Sequence, residues 1–176
     1  MSLEFIKSKI LAVPDFPKAG IMFRDITPLL ADPQGLRVTA QEMAKELKKR
    51  DIKPTVVAGT ESRGFIFGVA LAEILGLGFV PVRKAGKLPR ETYNVSYDLE
   101  YGSDSLEIHK DAFKESDRVL IVDDLLATGG TAKATVKLIE KTHAQVAALI
   151  FVMELKGLGG RDVLEGYNVS ALLEFK

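Results

Sequence analysis

Cysteine is absent from the 176 residues, which excludes disulfides, thiolate metal sites and a cysteine nucleophile together and fits a reducing compartment. No apolar stretch approaches the roughly 18 residues that a membrane-crossing helix needs. The start, Met1 to Lys7, also lacks a basic region followed by an apolar run, so a cytoplasmic protein with no membrane association is expected. An excess of either charge is missing too: 24 lysines and arginines balance 24 aspartates and glutamates. That balance leaves no overall positive field for a nucleic-acid backbone, so any basic site must be local. Histidine is scarce, and His109 and His143 stand apart without metal-ligand spacing. What is there is a globular composition, 47% apolar and 27% charged, with glycine and proline near average, expected to form one domain over residues 1–176.

Leu3, Ile6 and Ile10 recur at helical spacing, and Pro14 and Pro17 then push the segment VPDFPKAG out of helix. Asp32-Pro33 reads as a cap with a first-turn proline, followed by an apolar stripe of Leu36, Ala40, Met43 and Leu47 that predicts an amphipathic helix to about Arg50. Strand and helix then alternate: TVVAG, a helix RGFIFGVALAEILG closed by Gly76, FVPVR, and later RVLIVDD, TAKATVKLIEKT and QVAALIFVM. Near-continuous Val/Ile/Leu strands separated by helices predict an α/β fold, a mainly parallel sheet flanked by helices. The polar segment at about 84–110 has no helical period and reads as an extended, hairpin-like flap.

The strongest signal runs from the strand Val119–Val122 through Asp123 and Asp124 into Leu125, Leu126, Ala127, Thr128, Gly129, Gly130 and Thr131, where a helix begins. The glycines let the backbone turn tightly around an anion, the threonines offer hydroxyls, and the helix aims its N-terminal amides at the same place. A phosphate fits there. The two acids cannot serve it, because like charges repel, but at a strand end they can accept hydrogen bonds from hydroxyls. A ribose phosphate satisfies both halves. A P-loop or a dinucleotide fingerprint would need a different glycine and lysine pattern. A magnesium cluster, as in phosphoacceptor domains, and a solvated strand end beside an ordinary turn are the other readings of the acid pair.

With this strand, acid pair and loop the chain resembles the type I phosphoribosyltransferases. Further segments bring it near the adenine-specific group: Phe16-Pro17 through Phe23-Arg24-Asp25-Ile26, Glu61-Ser62-Arg63-Gly64-Phe65, Arg83-Lys84-Ala85-Gly86-Lys87-Leu88-Pro89 and Tyr97-Asp98-Leu99-Glu100-Tyr101-Gly102. The likeness covers almost the whole chain. It implies the type I fold, with a small hood built mainly from residues 1–35 and the flap. It also implies transfer of the 5-phosphoribosyl group from phosphoribosyl pyrophosphate to adenine in purine salvage, giving AMP and pyrophosphate, with Mg²⁺ and a homodimer. A 6-oxopurine phosphoribosyltransferase would share the ribose-phosphate half of such a site. A non-catalytic sensor of phosphoribosyl pyrophosphate that binds DNA is a rival of another class, against which the absent basic surplus argues.

The remaining candidates follow from residues and resemblance together. Glu61, Ser62 and Arg63 come directly after a strand, where ligands gather in open α/β sheets, and can meet pyrophosphate. The resemblance adds a cis peptide bond at Glu61-Ser62. Arg63 would otherwise be a surface ion-pair partner. Arg83, Lys84 and Lys87 form a local basic cluster, a second pyrophosphate candidate that the resemblance allows to reach a neighbouring subunit; alone it reads as a solvated loop. For Met22, Phe23 and Arg24 the resemblance implies adenine binding, with Phe23 stacked on the base, whereas a phenylalanine is more commonly core. It makes Glu100 a helper of proton transfer at the purine and Tyr101 a residue that closes the site. Arg63, Asp123, Asp124 and Glu100 are the expected catalytic residues.

Overall fold

The computed structural model describes residues 2–98 and 103–176. The chain opens with α1 (Ser2–Ser8), β1 (Leu11–Pro14), β2 (Met22–Asp25), α2 (Thr27–Ala31) and α3 (Gly35–Lys49). It continues through β3 (Val56–Thr60), α4 (Arg63–Leu75), β4 (Gly78–Lys84), β5 (Thr92–Asp98) and β6 (Ser103–His109). The last part holds β7 (Arg118–Leu126), α5 (Gly130–Lys141), β8 (Gln145–Leu155), α6 (Gly160–Val163) and β9 (Val169–Phe175).

Seven strands make one sheet in the order β5-β6-β4-β3-β7-β8-β9. The five from β4 to β9 pair in parallel, while β6 joins β4 antiparallel and β5 joins β6 antiparallel. Parallel strands need both faces covered, and residue alternation supplies both. Val57, Leu120, Val122 and Ile150 pack on Ile6, Met43, Phe67 and Leu71 of α1, α3 and α4. Ala58, Ile121, Leu149 and Phe151 face the other way, onto Val136, Leu138 and Ile139 of α5.

Strand order places β3 and β7 side by side, while their crossovers leave in opposite directions, β3 to β4 and β7 to β8. At such a switch point the loops after the two strands part and open a crevice at their carboxyl ends. Those loops are Glu61–Ser62 and Ala127–Gly129.

The structure moves one helix boundary. Asp32-Pro33 does not open the long helix. Pro33 lies between α2 and α3, and the Asp32 carboxylate accepts the Gln34 N–H at 2.9 Å while pairing with Lys9 at 2.9 Å. The α2–α3 corner is so tight that a Cβ on Gly35 would lie 1.8 Å from the Leu29 carbonyl oxygen. Five elements had no counterpart in the sequence reading: β1 and β2, which form the antiparallel ribbon of the hood, α2, α6 and the edge strand β9. The segment at 84–110 contains the β5–β6 hairpin, attached to β4 through Arg83↔Glu107 and Lys84↔Leu106. Glu100 and Tyr101 lie outside the described residues.

Candidate active site

The crevice at the switch point holds a cleft of about 660 Å³, lined by Glu61, Ser62, Arg63 and Lys84 on one side and by Asp123 to Ala132 on the other, with Phe151 behind. Residues far apart in sequence are therefore gathered by strand ends: β3 delivers Glu61–Arg63, β4 delivers Lys84, and β7 delivers the acids. The approach of α4 to β7 is set by Gly64, where a Cβ would meet the Val122 carbonyl oxygen at 2.8 Å and Asp123 Oδ1 at 3.0 Å. Any side chain there would push the helix start, and Arg63 with it, away from the acids.

Asp124 is buried at 3% exposure. Its Oδ2 lies 2.8 Å from Arg63 Nε, but the approach is off the hydrogen-bond direction and this oxygen accepts no aligned hydrogen bond from a described group. The pair holds Arg63 and Asp124 together in the wall of the cleft. The Asp124 N–H donates to Asp123 Oδ1 at 2.9 Å. Part of Asp123 still faces the cleft, yet the protein packed around its carboxyl pushes its pKa well above the ordinary carboxylate range, with repulsion from Asp124 adding to the effect.

Beyond the acids, Gly129 turns the chain with φ 85 and Gly130 opens α5. Thr128 and Thr131 stand in the cleft wall, so hydroxyls and the amides of a helix start converge, an arrangement that favours an anion. The buried Thr135 hydroxyl, one turn into the helix, donates to the Thr131 carbonyl at 3.0 Å.

The opposite wall is basic but organised by an acid. Glu61 Oε2 accepts the Lys84 N–H at 3.0 Å and Arg83 Nε at 3.2 Å, and these bonds, the backbone one foremost, hold its pKa below the usual value. Glu61 thus ties the end of β3 to the basic segment. Arg83 also donates to the Lys87 carbonyl at 3.4 Å. Lys84 Nζ lies 3.1 Å from Asp104 Oδ2, whose carboxylate raises the lysine's pKa. The Glu61-Ser62 peptide is cis, as is Phe16-Pro17.

The hood reaches this site through Phe23. Arg63 Cζ stands 6.0 Å from the Phe23 ring centroid, while Phe16 meets Phe23 edge-on at 5.2 Å. Met22 is exposed. Arg24 turns the other way, its guanidinium 4.3 Å from the Phe175 ring centroid, so that only its backbone stays beside Phe23. Met22, Phe23, Arg24, Arg83 and Lys87 flank the cleft rather than line it. Conversely, Leu125, Leu126, Ala132 and Phe151 line it without having been singled out as site residues from the sequence, and Phe151 enters because β8 sets it beside Asp123 in register.

Among the described residues no helix is long and apolar enough to cross a membrane. A phosphoribosyl transferase domain model matches residues 26–168. The adenine phosphoribosyltransferase of Francisella tularensis subsp. novicida (strain U112) is 82% identical over 175 residues, spanning 99% of this chain and 100% of the relative. A crystal structure of adenine phosphoribosyltransferase from Thermoanaerobacter pseudethanolicus superposes with a TM-score of 0.94 at 53% identity, covering 98% of this chain and 99% of that one. That from Saccharomyces cerevisiae, complexed with adenine and an imino-altritol bisphosphate, gives 0.93 at 42% identity, covering 98% of both. An acid pair and glycine loop at a sheet switch point, and relatives matching from end to end, lead to one conclusion: the chain belongs to the phosphoribosyl transferase family, in the group formed by the adenine phosphoribosyltransferases.

Proposed function

We infer that the chain transfers the 5-phosphoribosyl group of phosphoribosyl pyrophosphate to adenine, giving AMP and pyrophosphate. The observation that carries the site reading is that Asp123, Asp124 and Arg63 meet the Thr/Gly loop at the start of α5 around one cleft. In this reading Asp123 and Asp124 receive the ribose hydroxyls, and Ala127 to Thr131 hold the 5′-phosphate. Binding energy taken up at that remote phosphate positions the anomeric carbon. Ser62, Arg63 and Lys84 face the departing pyrophosphate, with Arg83 and Lys87 behind them, while Glu61 holds that cationic wall in place. Charge grows on the sugar as the leaving group departs, so the carboxylates support the cationic ribose and the cations support the anion. Phe23 offers its face to the base. Glu100 assists proton transfer at the purine, and Tyr101 helps to shut the site.

Mg²⁺ suits this site as a companion of the substrate. Among the described residues no cluster of three or more His, Cys, Asp or Glu could cage a metal, and magnesium is commonly held by substrate phosphates with few protein oxygens. Bound that way, it would offset the negative charge of the leaving pyrophosphate.

A homodimer is supported by α4, which is apolar on nearly every side and leaves Ile66, Val69 and Ile74 between 37% and 51% exposed. The cytoplasm is the expected location. Of the rivals, a 6-oxopurine enzyme would share the phosphate half, and a DNA-binding sensor gains no basic surface from the balanced charge. Incubation with phosphoribosyl pyrophosphate, magnesium and, side by side, adenine, hypoxanthine or guanine tests the reading. AMP and pyrophosphate formed from adenine alone are expected; preference for a 6-oxopurine, or DNA binding without turnover, would overturn it.

A further inference from the structure

The phosphate loop has a rear support. Next to the last residue of β8 stands Glu154, paired in register with Leu126, the last residue of β7 before the loop. Glu154 is a buried carboxylate, 5% exposed, and Arg161 of α6 grips it in a fork: Nε donates to Oε1 at 2.9 Å and to Oε2 at 2.8 Å, and Nη2 lies 2.7 Å from Oε2. Gly157 (φ 95) and Gly159 (φ 74) turn the intervening chain back over the strand ends. This return presses α6 onto the loop. A Cβ on Gly160 would lie 2.3 Å from the Ala127 carbonyl oxygen, and one on Gly129 would lie 2.9 Å from the Gly160 oxygen and 3.2 Å from Val163 Cβ. None of these α6 residues lines the cleft.

We propose that Arg161 and Glu154 are positioning residues for the 5′-phosphate: their ion pair clamps α6 against Ala127 and Gly129 and so fixes the loop's amides in their anion-binding geometry. The inference rests on the assignment of Ala127 to Thr131 to the 5′-phosphate. A planar guanidinium gripping a buried carboxylate is a rigid anchor, and a loop that must wrap an anion needs its backbone fixed from behind. Arg161→Met would release α6 while leaving the cleft-lining side chains intact.

The test is titration of ribose 5-phosphate into parent, Arg161→Met, Arg161→Lys, Glu154→Gln and Gly129→Val proteins, with circular dichroism for the fold and separate KM values for the two substrates. Arg161→Met is expected to weaken ribose 5-phosphate and raise the KM for phosphoribosyl pyrophosphate by about 10–100-fold, since misplacement of about an ångström can cost that much. The KM for adenine should move far less, and Arg161→Lys should recover part of the loss. Should Arg161→Met fail to fold, Glu154→Gln, which keeps the shape and weakens the grip, is expected to show the same split more mildly. Loss in folded Gly129→Val alone, with Arg161→Met and Glu154→Gln binding normally, or equal effects on both substrates, would overturn the clamp. Normal ribose 5-phosphate binding by folded Gly129→Val would instead overturn the phosphate assignment beneath it.

Discussion

Gly64→Ala should injure catalysis more than stability, because one methyl group would separate the two halves of the active site. The added Cβ would sit 2.8 Å from the Val122 carbonyl oxygen and 3.0 Å from Asp123 Oδ1, neither of which is the flexible end of a long side chain. Restoring ordinary contact requires α4 to withdraw by about 0.6 Å at its first turn. Overpacking of this kind costs about 1–3 kcal/mol, while replacing a helical glycine by alanine returns about 0.5–1 kcal/mol. The net loss is therefore at most about 2.5 kcal/mol, a fall in Tm of no more than about 10 °C for a chain of this size. The same withdrawal carries Arg63 away from Asp124, and a shift of this order is expected to reduce kcat/KM by about 10–100-fold, or about 1.4–2.7 kcal/mol in the barrier. Gly68→Ala is the control: its Cβ would crowd only the Phe79 ring, at 2.6 Å, away from the acids. It should lower Tm with little effect on turnover. Calorimetry and an assay of pyrophosphate release on both variants decide the matter. Normal kcat/KM for Gly64→Ala, or an equal loss for Gly68→Ala, would refute the argument that the helix start sets the site's registration.

Other outcomes follow from the same geometry. Since burial raises the Asp123 pKa above its unfolded value, the folded chain binds the extra proton and loses stability as pH climbs through that interval. Asp123→Asn should consequently melt higher than the parent at about pH 8, with the gap closing towards about pH 3.5; an unchanging gap would contradict this sign. Asp123→Asn combined with Asp124→Asn should keep the fold and lose turnover, and near-normal AMP formation would remove the ribose assignment. Phe23→Ala should raise the KM for adenine by a factor corresponding to about 1–3 kcal/mol and leave that for phosphoribosyl pyrophosphate nearly unchanged; equal effects would make Phe23 a packing residue. Arg83 is bonded to Glu61 of its own chain, so mixing Arg83→Ala with the double-Asn protein asks whether it also serves a partner. Activity recovered on subunit exchange would place it across the interface; none recovered despite confirmed exchange would mean that it acts within its own chain or not at all.

The sheet was readable because its central strands have no exposed face: VVAG, VLIV and AALIFVM are apolar without interruption, so no other element suits them. Gly76 was readable as a stop because its φ of 67 is cheap for glycine. Strand β9 was not, since VSALLEF carries Ser170, partly exposed positions and Glu174, whose charge pairs with Lys156 at 2.6 Å. The acid pair and its loop are contiguous, and so their chemistry was legible in one segment. Glu61 as organiser of Arg83 and Lys84 was not, because the contact depends on β3 and β4 ending side by side. Arg161 and Glu154 sit seven positions apart across a glycine-rich return that no helical or strand period describes.

The link between hood and sheet has an evolutionary consequence. Everything proposed to touch the sugar phosphate lies at the strand ends of the sheet, whereas the ring proposed to meet the base, Phe23, comes from a separate ribbon that meets the site through the Phe23–Arg63 contact. Recognition of the invariant part of a nucleotide and of its variable part are thus encoded in different stretches of the gene. Mutations in the ribbon can explore new bases while the phosphate grip is inherited unchanged, so a lineage built on this plan can diversify by remodelling its first 35 residues without reinventing its chemistry.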